Sequence, residues 1–176
     1  MANNIIFSEK KINLNGLKEL SRIISGNEKV YEPIINNQWF KEAVQGDPYA
    51  QYSLGLRFSR GDEVERNNVE AAKWYRRAAE QGYSEAQVML GVCFRDGNGV
   101  KKNDQESVRW YRRAAEQGYS EAQLKLGLCF MAGEGVKKNN QESLRWFRKA
   151  AKQGNEIAIE ALEYLDIEIE NKTNSK

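Results

Sequence analysis

The chain contains no histidine in 176 residues. Histidine is the side chain that most often acts as a general base near neutral pH, activates serine and cysteine nucleophiles, and binds metal ions. Its absence excludes those nucleophile pairs and disfavours zinc and haem sites, so we expect no catalytic residues, no cofactor and no metal. A hydrolase that uses paired carboxylates needs no histidine and is the enzymatic alternative.

Cysteine is scarce, and long apolar runs are missing. Only Cys93 and Cys129 occur, which is too few for a disulfide framework and agrees with a reducing compartment. The first residues, MANNIIFSEKKINLNGL, hold only the short apolar run IIF, so we expect no secretion signal. No stretch approaches the roughly 18 to 20 apolar residues that span a bilayer. We therefore predict a cytoplasmic protein with no membrane contact.

An excess of one charge is also lacking. The 27 Lys and Arg residues nearly balance 25 Asp and Glu, which gives a net charge of +2. Such a balance provides no long-range attraction to nucleic acid or to an anionic membrane. Apolar residues make up 40% of the chain, which is enough for the packed core of one domain.

What the sequence does have is an internal repeat. The string WYRRAAEQGYSEAQ occurs at residues 74–87 and again at 110–123, 36 residues later. The same shift aligns further rows: Gly46, Gly82, Gly118 and Gly154; Gly55, Gly91 and Gly127; Gly61, Gly97 and Gly133; Trp74, Trp110 and Trp146. A fixed period of this size is typical of a solenoid. It divides residues 47–154 into three units, 47–82, 83–118 and 119–154.

Each unit begins with a predicted helix, which we call helix A. In the second unit Ala86, Leu90 and Phe94 recur every four residues, which places one apolar stripe on one side of a helix. Ser84 with Gln87 has the spacing of a capping box and predicts where this helix starts.

A second predicted helix, helix B, completes the unit. The glycines in DGNGV at 96–100 end helix A, and Asn103 with Glu106 forms a capping box at the start of helix B. Helix B carries the aromatic pair at 110–111 and ends at Gly118, where a left-handed residue is expected. The same capping pairs recur in the other units: Asn67 with Glu70 and Asn139 with Glu142. We expect the aromatic pair to fill the space between helices A and B.

Both ends depart from the repeat. Residues 1–46 predict N-terminal helices, one near residues 17–24 and one at 35–46 that resembles a shortened helix B, together forming a degenerate repeat or cap. Residues 155–176 predict a capping helix at 156–166 followed by a frayed acidic and polar tail. The residues expected to cover the last open face are Ala158, Leu162 and Leu165.

The unit AQVMLGVCFRDGNGVKKNDQESVRWYRRAAEQG resembles Sel1-like repeats, which are related to tetratricopeptide repeats. The resemblance implies an all-α, right-handed superhelical solenoid of antiparallel α-hairpins, a protein-interaction scaffold without catalysis that is common in bacteria. The first unit departs, with Glu63 where the others have Gly99 and Gly135, so its turn is expected to be strained or differently shaped. Cys93 and Cys129 occupy the same phase of successive helices A, which does not allow the hairpin disulfide of cysteine-rich members. We expect two small buried side chains.

The side of helix A opposite the apolar stripe would line a concave groove, by resemblance to the tetratricopeptide class. These positions form the predicted protein-binding groove: Tyr49, Tyr52, Ser53, Leu56, Ser59, Arg60, Glu85, Val88, Met89, Val92, Arg95, Asp96, Glu121, Leu124, Lys125, Leu128 and Met131. They combine an apolar floor with a charged rim, as protein-binding surfaces do. The alternative is that the floor residues only pack between adjacent helices A.

The sequence thus predicts a monomeric bacterial adaptor or scaffold that binds another protein or a peptide. One alternative is an immunity protein or inhibitor that neutralises a toxin, a secreted effector or an enzyme by direct binding. Another is nucleic-acid binding through basic residues repeated on helix B: Arg76, Arg77, Arg112, Arg113, Arg148 and Lys149. The spacing of Glu80 after Arg76, and of Glu116 after Arg112, allows ion pairs that would neutralise this row, so nucleic acid is the less favoured partner.

Overall fold

The structure is a computed structural model that describes residues 37–174, with side chains described as far as residue 165. Within that range the chain forms eight helices and no strand. They are α1 (Gln38–Val44), α2 (Pro48–Arg60), α3 (Asn68–Glu80), α4 (Ser84–Asp96), α5 (Asp104–Glu116), α6 (Ser120–Ala132), α7 (Asn140–Ala151) and α8 (Glu156–Asn174). The predicted helix near residues 17–24 lies outside the described residues.

Helices A and B of each unit form an antiparallel hairpin. Helices A are α2, α4 and α6, and helices B are α3, α5 and α7. At the start of α5 the Asn103 amide donates to the Phe94 carbonyl at the end of α4 (2.8 Å). At the other end, the Gln117 side chain after α5 reaches Gln87 in the first turn of α4 (2.8 Å). Equivalent bonds in the other two hairpins confirm the predicted architecture.

Helix B is capped as predicted, whereas helix A of the second unit starts at Ser84 without the predicted cap. The Asn103 side-chain oxygen accepts the Glu106 amide at 3.1 Å, and Asn67 and Asn139 cap their helices in the same way. The predicted cap at Ser84 is wrong. Tyr83 precedes the helix without a side-chain cap. The buried Gln87 side chain donates to the Ala79 carbonyl instead of taking part in a capping box.

The turn inside each hairpin rests on the preceding unit. Gly99 has a φ of 73°, and a Cβ there would collide with the Asn68 carbonyl oxygen at the start of helix B in the unit before. Gly135 makes the same close approach to Asp104. Glu63 adopts a φ of 61° without being glycine, which is costly for a side chain with a Cβ. The first turn is therefore strained, as predicted, but it keeps the same backbone shape.

Each helix A has a glycine whose missing side chain leaves space for an aromatic ring of helix B. A Cβ on Gly91 would lie 2.5 Å from Cε1 of Tyr111, a distance at which atoms overlap. Gly55 faces Tyr75 and Gly127 faces Phe147 in the same manner. The neighbouring tryptophans Trp74, Trp110 and Trp146 are 1 to 4% exposed. Tyr111 and its equivalents therefore fill the hairpin interior, as the sequence predicted, and Trp110 is buried in a cluster that also contains Trp74 of the preceding unit.

The last helix, α8, covers the end of the array. Ala158 and Leu165 are buried and Leu162 is half-buried against the same cluster, which confirms the predicted capping face. Residues 171–174 are helical, so the predicted frayed tail is wrong at these positions. In α8 Glu163 stands at the repeat position of Gly127, so a helix B ring could not pack there as it does in the three units.

Candidate protein-binding site

A row of buried glutamines sets the register of the helices that carry the site. The Gln87 Nε2 donates to the Ala79 carbonyl at the end of α3 (3.1 Å). Its Oε1 accepts from the Gln117 Nε2 beyond α5 (2.8 Å). One side chain of α4 therefore joins the helices on both sides. Gln51 with Gln81, and Gln123 with Gln153, repeat both bonds.

This glutamine ladder explains why EQGYSEAQ is repeated so closely. In residues 80–87 the first glutamine, Gln81, is the exposed partner of Gln51. The last glutamine, Gln87, is the buried residue of the next bonded pair, and the second copy of the string repeats this arrangement. The ladder was not predicted, although glutamine recurs at the 36-residue period in two rows, at positions 51, 87 and 123 and at positions 81, 117 and 153. Gln87, which follows the apolar residue Ala86 in helix A, was assigned to a helix cap instead.

The structure divides the predicted groove residues by exposure. Five are exposed: Tyr49, Arg60, Asp96, Glu121 and Leu128. Ten are half-buried: Tyr52, Ser53, Leu56, Ser59, Glu85, Met89, Val92, Arg95, Lys125 and Met131. Two are buried: Val88 at 2% exposure and Leu124 at 6%.

Val88 and Leu124 correct the prediction. Val88 belongs to the cluster formed with Tyr111 and Leu126, and Leu124 to the cluster around Phe147. Both side chains pack against the following unit and offer no surface to a partner. For these two positions the alternative of packing between units is right, and the accessible apolar floor consists of Tyr52, Leu56, Met89, Val92 and Leu128.

Charged residues at the predicted groove positions are largely paired, at the C-terminal end of α4 and in the first half of α6. Arg95 holds Asp96 with two hydrogen bonds of 2.7 and 3.1 Å, and this contact lowers the pKa of Asp96 below its ordinary value. Lys125 lies 3.2 Å from Glu121. Arg60 is exposed. These charges are the predicted rim of the groove.

Tyrosines gather at the opposite, N-terminal ends of helices A. We call Tyr49, Tyr52, Tyr83 and Tyr119 the tyrosine cluster. The rings of Tyr49 and Tyr83 meet edge to face at 6.3 Å between centroids, and Tyr52 lies 5.4 Å from Tyr83. Burial, followed by the charge of Glu121, raises the pKa of Tyr119 to about 12. Tyr83 and Tyr119 were not predicted, because they precede helix A rather than lie on its face.

The basic row on helix B is engaged with aromatic rings. Arg77, Arg113 and Lys149 lie over Trp74, Trp110 and Trp146, at 4.2 to 4.5 Å from the ring centroids. Arg76 lies 5.4 Å from the Phe94 ring of the next unit, and Arg112 lies 5.5 Å from Phe130. The expected ion pairs of Arg76 with Glu80 and Arg112 with Glu116 do not form among the described residues. These cations cover aromatic surface, so their spacing reflects packing.

The two cysteines are free and buried. Burial raises the pKa of each thiol to about 11, so very little reactive thiolate forms near neutral pH. The prediction of two small buried side chains is confirmed.

Comparison with known proteins places this geometry in a family. The Sel1 repeat model matches residues 48–83, 84–119 and 120–155. The chain belongs to the Sel1 repeat family. Members generally act as protein–protein interaction modules and are typically non-catalytic. Comparison with curated proteins gave no match.

Solved structures of Sel1 repeat proteins share the fold. A Sel1 repeat protein from Oxalobacter formigenes is 42% identical, with a TM-score of 0.66 over 71% of this chain and 94% of that one. A protective antigen of uropathogenic Escherichia coli with an SLR fold is 34% identical, with a TM-score of 0.71 over 87% of this chain and 36% of that one. Helicobacter pylori cysteine rich protein B is similar in fold alone, at 23% identity and a TM-score of 0.58 over 82% of this chain and 96% of that one.

No helix between residues 37 and 174 combines the length and the apolar character that crossing a bilayer requires.

Proposed function

We propose that this Sel1 repeat protein is an adaptor or scaffold that binds a segment of a partner protein along the groove formed by helices A. The observation that carries the proposal is that exposed and half-buried apolar side chains recur at the groove positions of successive helices A. Leu128 is 38% exposed and Tyr49 is 64% exposed, and half-buried Leu56, Met89 and Val92 lie at groove positions on the same helices.

The chemistry of this surface supports a protein partner. Aromatic and aliphatic side chains surrounded by charges are typical of the centre and rim of a protein interface. The residues on this face change from unit to unit, whereas the glutamine ladder and the aromatic interior recur. Specificity would therefore come from the rim of each unit on a constant framework. We further propose a reducing compartment, since both thiols are free and buried.

Co-purification from the native cell tests this proposal with three forms of the chain. Leu128→Glu places a charge on the groove without entering the core. Val69→Glu is the matched control, because Val69 is an apolar side chain on helix B that is 51% exposed. Circular dichroism would first establish that both variants fold.

The proposal expects a partner that is retained by wild type and by Val69→Glu and is lost with Leu128→Glu. A charge placed in an interface core commonly weakens binding by about tenfold or more. The proposal is wrong if the same partner remains bound to Leu128→Glu at wild-type strength. If the partner is a toxin or a secreted enzyme that the chain inhibits, the protein is an inhibitor rather than an adaptor.

A further inference from the structure

We propose that the tyrosine cluster and Glu85 together bind an arginine or lysine side chain on a peptide segment of the partner. This inference rests on the proposed function and specifies the chemistry of the partner at one end of the groove. Tyr49, Tyr52 and Glu85 belong to the predicted groove, but neither the family nor the sequence pattern assigns a ligand group to this corner of the molecule.

The rings form a corner that could receive a cation. Tyr49 and Tyr83 stand nearly perpendicular, with an interplanar angle of 77°, and Tyr52 is tilted by 47° relative to Tyr83. Tyr52 also lies 6.0 Å from Tyr75, which closes the inner side. Proteins bind ammonium and guanidinium groups against the faces of such aromatic rings.

Glu85 supplies a negative charge at this corner. Its half-buried carboxylate has no ion-pair partner within the part of the chain that the structure describes. Glu85 stands in the first turn of α4, two residues after Tyr83. Its charge adds to burial in raising the pKa of Tyr52 and Tyr83. In Tyr119 its effect on the pKa follows those of burial and Glu121. An unpaired carboxylate beside aromatic rings favours a cation over an anion or a neutral group.

The other charges near the cluster do not reverse this preference. Glu121 adds a second carboxylate that is 51% exposed, although Lys125 pairs with it. Asp47 also faces Tyr83 but is occupied in capping α2. Arg60 is the cation that acts on Tyr52, where its influence is smaller than that of Glu85. The positive N-terminal end of α4 is offset by Glu85 in its first turn.

Hydrogen-bonding capacity completes the match to a guanidinium group. None of the four hydroxyls in the cluster makes a hydrogen bond in residues 37–165. Phenol oxygens accept hydrogen bonds, and arginine brings five N–H donors in a planar fork. The corner therefore offers ring faces, free acceptors and a carboxylate to the same ligand group.

The test is an NMR titration of the full chain with a terminally blocked peptide, Ala-Ala-Arg-Ala-Ala. The same peptide with citrulline keeps the shape and removes the charge. Glu85→Gln removes the proposed carboxylate, and Glu116→Gln is the matched control because Glu116 is exposed at the end of helix B.

We expect saturable shifts around Tyr52, Tyr83 and Glu85 with the arginine peptide. The citrulline peptide should bind the wild-type chain about tenfold more weakly than the arginine peptide. The Glu85→Gln variant should bind the arginine peptide about five- to tenfold more weakly than wild type, and the Glu116→Gln variant should bind it as wild type does. Equal binding of the two peptides, shifts elsewhere in the molecule, or no binding would overturn the inference.

The outcome separates this inference from the proposed function. If Leu128→Glu releases the cellular partner while Glu85→Gln changes neither partner nor peptide binding, the groove binds a protein and the cation site is wrong. If the peptide binds as expected but the partner is insensitive to Leu128→Glu, the cation site stands and the partner lies on another surface.

Discussion

The glutamine ladder allows a sharp test of how the units are joined. Gln87→Met keeps the length and approximate volume of a side chain that is 3% exposed and removes its amide. It abolishes two hydrogen bonds, one to the Ala79 carbonyl and one from Gln117. The Ala79 carbonyl still accepts the Gly82 amide at 3.1 Å, so no backbone group is orphaned.

The expected cost follows from this count. Two intramolecular hydrogen bonds contribute about 0.5 to 1.5 kcal/mol each, so the free energy of unfolding should fall by about 2 kcal/mol. The midpoint of thermal unfolding should then fall by about 4 to 8 °C. Gln117→Met removes only one of these bonds but leaves the Gln87 Oε1 buried without a donor, and should cost about 1 to 2 kcal/mol.

The double variant separates a shared bond from two independent effects. Urea unfolding of Gln87→Met, Gln117→Met and the pair should give a double cost below the sum by about 1 kcal/mol. Gln105→Met, at an exposed position on helix B, is the control and should change stability by less than about 0.5 kcal/mol. The ladder would be refuted if the two single losses in the free energy of unfolding simply add in the double variant, or if Gln87→Met is as stable as the control.

Three further predictions concern the hairpin interior. Gly91→Ala should lower the urea midpoint: alanine favours a helix by about 1 kcal/mol, but its Cβ would overlap the Tyr111 ring at 2.5 Å, an overpacking that costs about 1 to 3 kcal/mol. A higher midpoint would contradict the ring contact. Burial raises the pKa of Tyr111 from 10.0 to about 12, so stability should fall as pH rises from about 10 to about 12 and Tyr111→Phe should flatten that fall. At neutral pH Tyr111→Phe should cost little, because its hydroxyl lacks a partner in the described residues, whereas Tyr75→Phe loses a 3.2 Å bond to Ser59 and should cost about 0.5 to 1.5 kcal/mol. Urea unfolding across a pH series checks both, and equal pH profiles for wild type and Tyr111→Phe would count against this assignment.

The repeat and its helices could be predicted because their signals are local and periodic. Glycine at 97 ends helix A with a φ of 74°, and the asparagine at 103 caps helix B. Such effects depend on residues a few positions apart, so the sequence alone contains them. The tryptophan and tyrosine at 110–111 were likewise recognisable as interior residues because each recurs with the period.

The site was harder to predict because it depends on how one helix is rotated against another. Val88 lies on the predicted groove side but packs against the next unit, and nothing in the periodicity of helix A distinguishes those two surroundings. The rotation is set by contacts across units, such as Gln87 with Ala79. Arg76 was expected to pair within its helix, yet Phe94 of the following unit offers it a ring.

The close approach of Gly99 to Asn68, repeated by Gly135 and Asp104, means that successive units meet through the same joint. Duplicating one unit would add another copy of that joint and another strip of surface, and the existing joints would need no redesign. The length of surface available to a bound segment can therefore change by one unit at a time during evolution. The exposed side chains of each unit can still change independently.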